Sequence, residues 1–117
     1  MSLNLEKYQE FATLLEQLCS DVTNTQLDAP SLRQRLTELQ QWFVQQIVSL
    51  TDLDSRQQSY QTEMSKQLRL LEIDVMFLQG ARQSATAQAR IKMIEERFKN
   101  LIRYCQAILQ ADENGEK

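Results

Sequence analysis

The side chains of this chain that could do chemistry are few and badly spaced for it. Histidine is absent, which removes phosphorelay transfer through histidine, histidine-activated nucleophiles and the Glu-x-x-His ligands of di-iron bundles. The only glycines are Gly80 and Gly115, so there is no glycine-rich phosphate loop. Cys19 and Cys105 lack metal-ligand spacing and read as reduced, small apolar fillers. The paired acids Glu95–Glu96 and Asp52/Asp54 are better explained as helix surface or caps than as general acid–base pairs. No cofactor and no metal site are expected.

The basic residues of the last third are the better functional candidates. Arg90 and Arg97 are seven residues apart and share a helix face, while Lys92, Lys99 and Arg103 form a second row. Solvated surface is the plain explanation of such rows. The functional alternative is a docking face for an acidic protein. Nucleic acid is not expected, because the net charge is −3 and no aromatic residues interleave with the basic ones for base stacking. The best case for an enzyme is Leu68-Arg69 with Ile73-Asp74 and Arg82, which faintly resembles the opening of small all-helical chorismate mutases. The spacing does not match, and a non-catalytic chain is the expectation.

The elements that position these residues are helices. Two glycines and one proline in 117 residues, against abundant Gln, Leu, Glu and Arg, predict an all-α chain. Tyr8, Phe11, Leu15, Leu18 and Val22 step by three and four, giving a first helix from about Asn4 to Val22. A second helix starts at Pro30 with Asp28 or Ala29 as cap and carries Leu32, Leu36, Leu39, Phe43, Ile47 and Leu50, widened by Trp42, Val44 and Val48. Thr51 to Asp54 reads as a capping box with Thr51 as cap, although the stripe could also pass unbroken into the third helix. That third helix ends at Gly80, which suits a left-handed cap. The fourth, capped by Ser84, uses Ala87, Ile91, Ile94, Phe98, Leu101, Cys105 and Ile108 in a new register.

Short connections predict an antiparallel four-helix bundle with a longer C-terminal hairpin. It forms one domain over residues 1–110, followed by a flexible acidic tail, 111–117. Residues 1–29 carry a net −4 and residues 81–110 a net +4, so the first and last helices should lie side by side. The two thiols then fall near opposite ends of the bundle and stay unpaired. No apolar run approaches the ~20 residues that span a bilayer, and the N-terminus lacks a signal-peptide layout. A cytoplasmic location and no membrane insertion are expected.

The third helix is apolar on two faces. Leu68, Leu71, Val75 and Leu78 form one stripe, and Leu70, Ile73 and Phe77 a second. One core needs only one stripe. The second, near the tip of the longer hairpin, predicts contact with another chain, and a homodimer is the simplest source of cover.

Three segments carry a family resemblance: residues 20–28, SDVTNTQLD; residues 58–77, QSYQTEMSKQLRLLEIDVMF; and residues 80–90, GARQSATAQAR. They resemble the PatD family of cyanobacterial heterocyst frequency control proteins. The resemblance implies a small cytoplasmic regulator of differentiation, linked to cell division through the tubulin-like protein FtsZ.

Overall fold

A computed structural model describes residues 3–25, 27–51 and 53–114. It contains four helices, α1 (Leu3–Asn24), α2 (Ala29–Phe43), α3 (Ser55–Gly80) and α4 (Ser84–Asn114), and no strand among the described residues. α1 packs on α2 and α4, and α3 packs on the same two, which is the expected four-helix bundle. The bundle is elongated, 53 × 24 × 21 Å. α3 and α4 run 26 and 31 residues against 22 and 15 for α1 and α2, so the C-terminal hairpin is the longer one. α4 continues to Asn114, through the first residues assigned to the tail. Asp52, Gly115 and the rest of the tail, 115–117, lie outside the described residues. No helix of the described residues is long and apolar enough to cross a membrane.

The core follows the apolar spacing. Tyr8, Phe11, Leu15, Leu18 and Val22 of α1 are buried, with Leu32, Leu36, Leu39 and Phe43 of α2. Met64, Leu68, Leu71 and Val75 of α3 join Ile94, Phe98, Leu101, Cys105 and Ile108 of α4 in the same cluster. Phe11 stacks on Trp42 at 5.7 Å between ring centroids and tilts against Phe43 at 5.2 Å, a geometry aromatic pairs favour over a face-to-face sandwich.

Asp28 caps α2 as expected, accepting the Ser31 N–H at 2.8 Å with Pro30 in the first turn; that bond holds the Asp28 carboxyl below its ordinary value. α2 does not continue into α3. It passes into a π-helical turn, Val44–Val48, whose Ile47 stays in the core while Gln61 Nε2 donates to the Ile47 carbonyl at 3.0 Å. Trp42 is only partly buried, and Val44 and Val48 are exposed, lining an open groove against Leu68 and Arg69. The expected widening of the apolar face therefore holds for Trp42 alone.

Three expected caps are corrected. The cap of α3 is Asp54, which accepts the Gln57 N–H at 2.7 Å; Thr51 instead lends its carbonyl to Asn4 at 3.1 Å. Gly80 takes no left-handed conformation and simply ends the helix, because Ala81 turns the chain out in an extended conformation (φ −71°, ψ 127°). Ser84 is the first residue of α4, and the Gln83 carbonyl accepts the first bond, from the Ala87 N–H at 3.0 Å.

Both thiols are free, with Cys105 buried and Cys19 half-buried. Burial, with the Glu16 charge second, pushes the Cys105 thiol up to about 12. Burial likewise raises Cys19, seconded by Glu95 and opposed by Lys99 and Thr23. α1 and α4 do lie side by side, joined by a hydrogen bond from the Thr23 hydroxyl to Glu95 at 3.2 Å.

Candidate interaction site on the long hairpin

The α3–α4 seam is polar at both ends. Near the chain termini, Tyr60 and Tyr104 meet at 5.7 Å, and Arg56 lies over Tyr60 at 5.4 Å while donating to the Ala107 carbonyl at 3.2 Å. Toward the Gly80 turn stands a tighter arrangement. Asp74, only 2 % exposed, receives Arg90 Nη1 on Oδ1 at 2.9 Å and Arg97 Nε on Oδ2 at 3.0 Å. The helix repeat explains this geometry. Residues seven apart on α4 stack two turns apart on one face, and Asp74 comes from α3 at the level between them. One carboxylate thus uses both oxygens on two guanidiniums. A buried carboxylate without such partners costs several kcal/mol.

Arg90 also serves the surface. Its guanidinium carbon lies 4.6 Å from the centroid of the Phe77 ring, and Nη1 lies 3.5 Å from Met93 Sδ. A cation over an aromatic face fixes the ring by attraction to its quadrupole. Phe77 is nonetheless 59 % exposed, Met76 55 %, and Ile73 and Met93 41 % each. Ile73, Met76 and Phe77 lie three and four residues apart on α3, and Arg90 joins Phe77 to Met93 of α4, so these side chains share the outward side of the hairpin. Beside it, around the turn, a hollow of about 400 Å³ is lined by Met76, Phe77, Gly80, Ala81, Arg82, Gln83, Thr86 and Arg90.

The structure divides the sequence-predicted residues. Ile73 and Phe77 are exposed and Leu70 half-buried, on the flank opposite the buried stripe, as the second stripe required. Arg90 and Arg97 each spend one guanidinium edge on Asp74, which leaves only their outward edges to solvent. Lys92, Lys99 and Arg103 are exposed and join no salt bridge among the described residues. Asp74 and the buried Gln67 were missed as interior residues, and Met76 and Met93 as members of the exposed face.

Residues 8–107 match the model of the CRR41 C-terminal domain family. The chain belongs to the CRR41 C-terminal domain family. The match begins at Tyr8 in the buried stripe of α1 and ends at Ala107 in α4, so the family region spans all four helices and holds the Asp74 clamp and the Phe77 face. No curated protein and no solved structure matches the chain.

Proposed function

We propose that this chain is a non-catalytic helical interaction domain, and that its contact surface is the outward α3–α4 face of Ile73, Met76, Phe77 and Met93. The observation that carries this reading is the exposure of those four large apolar side chains on the hairpin, with Arg90 touching both Phe77 and Met93. Single exposed apolar residues are ordinary on a monomer, whereas a contiguous patch marks a contact site. The best-placed interior acid, Asp74, is taken up by Arg90 and Arg97 and so is not free for a mutase-type reaction.

The PatD resemblance supplies a partner and a process for that surface: FtsZ, and regulation of heterocyst differentiation and cell division in the cytoplasm. This regulator reading rests on the three sequence segments at residues 20–28, 58–77 and 80–90. Co-sedimentation with purified FtsZ polymers tests it. Wild-type chain should pellet with polymer and Phe77→Asp should remain in the supernatant. Equal pelleting of both, or of neither, would remove FtsZ as the partner of this face.

The exposed patch also favours a second reading, a homodimer through the same face. Light scattering at tens of micromolar separates the two. A dimer abolished by Phe77→Asp supports self-association, and a monomer removes it.

A further inference from the structure

The hollow at the α3–α4 turn is lined by two cations beside apolar side chains. Among the described residues its charged lining is Arg82 and Arg90, without a carboxylate. Arg90 is satisfied on one edge only: Nη1 meets Asp74 and Met93, while its side chain remains 26 % exposed. A guanidinium carries five N–H donors, so its other edge has donors left for a second acceptor. Asp74 cannot neutralise the site, because its single charge is shared with Arg97. Between residues 69 and 99 there are six basic and four acidic side chains, a net +2. The apolar wall of the hollow, Met76 and Phe77, continues directly onto the exposed face.

We propose that this hollow is the anchor point for an acidic segment of a partner protein. A carboxylate of that segment pairs with Arg82 and the outward edge of Arg90, and an adjacent apolar side chain covers Phe77 and Met76. The inference rests on the reading of the hairpin face as a contact surface and specifies the chemistry of its partner. Charge complementarity favours this occupant over a second copy of the chain. A two-fold pairing centred on the hollow would set the Arg82–Arg90 pair of one copy against that of the other, and like charges facing each other oppose association. Arg82 makes no ion pair among the described residues, so it can be changed without disturbing the fold.

Two fluorescein-labelled helical peptides of about four turns test the proposal. They share one apolar stripe and differ only in carrying Glu or Gln beside it. Fluorescence anisotropy should show the Glu peptide binding about tenfold more tightly than the Gln peptide, with the advantage shrinking as salt rises. Arg82→Glu should erase that advantage and leave the Gln peptide unchanged. Equal binding of both peptides, lost in Phe77→Asp, would overturn the acidic anchor while leaving the contact face standing. Glu-peptide binding that survives Phe77→Asp would overturn the contact face itself. Binding of neither peptide, or a dimer in light scattering that Arg82→Glu leaves intact, would also overturn the proposal.

Discussion

Replacing Arg97 by alanine measures what the Asp74 clamp contributes. The substitution removes one charge-assisted hydrogen bond of 3.0 Å, worth about 1.5–3 kcal/mol, and leaves Asp74 bonded to Arg90 at 2.9 Å. A loss of about 2 kcal/mol is expected. At a urea m-value of roughly 2 kcal/mol/M, that lowers the unfolding midpoint by about 1 M, read by far-UV circular dichroism. Removing Arg90 and Arg97 together strands a buried carboxylate. The double variant should therefore lose about 3–5 kcal/mol, a value shaped by coupling because both arginines share one partner. Replacing all three residues with apolar ones of similar volume (Asp74→Leu, Arg90→Met, Arg97→Met) should recover most of the loss, since a buried ion cluster contributes little beyond its own desolvation. The two arginines are 26 % and 24 % exposed, which places the single variant toward the middle of its range. A midpoint shift under about 0.25 M for Arg97→Ala, the scale of an ordinary surface substitution, would refute the clamp.

Three further outcomes follow from local geometry. Gly80 is helical, and a Cβ there meets nothing within 4 Å, so Gly80→Ala should stabilise the chain by about 0.4–1 kcal/mol in the same urea titration; a destabilised variant would contradict the helical ending of α3. Asp54→Ala removes the cap of α3 and should cost about 1 kcal/mol, whereas Thr51→Ala should have little effect on it; the reverse order would restore Thr51 as cap. The Cys105 thiol is raised from 9.0 to about 12, and burial also raises the Tyr8 phenol above 10.0. The folded chain thus keeps protons that the unfolded chain releases, so stability is intact below about pH 9 and falls above it, by at most about 1.4 kcal/mol per pH unit for each group. Denaturation at pH 8, 9 and 10 should show the decline, and Cys105→Ala should flatten it; an unchanged slope would show that Cys105 is not the source.

The fold was legible in this sequence because each helix carries a core stripe in a constant register, and the register break at Gly80 separates α3 from α4. Helix ends were less legible. Thr51 and Asp54 are both good caps, and only the path of the chain selects the one whose oxygen reaches the third N–H beyond it. The π-helical turn at Val44–Val48 left no mark in the apolar spacing, since Phe43 and Ile47 are four apart whether the turn is α or π. In the candidate site, the exposed second stripe of Ile73 and Phe77 could be read directly. The clamp could have been found as well. Asp74 lies three residues beyond the buried Leu71, at the edge of the core stripe, and Arg90 and Arg97 sit one heptad apart on the next helix. An acid at such a position calls for a basic partner, and two residues on one α4 face were available. Taken by themselves, the same arginines looked like a free basic row, because periodicity gives the face of a helix and not which neighbour that face meets.

The most direct test of the contact face is photocrosslinking in the native host, with benzoylphenylalanine placed at position 77 or, as a control, at the exposed Gln17 of α1. Position 77 should yield one discrete adduct that Met93→Asp in the same chain abolishes, and position 17 should yield none. No adduct at position 77, or the same adducts from both positions, would contradict a contact surface at Phe77.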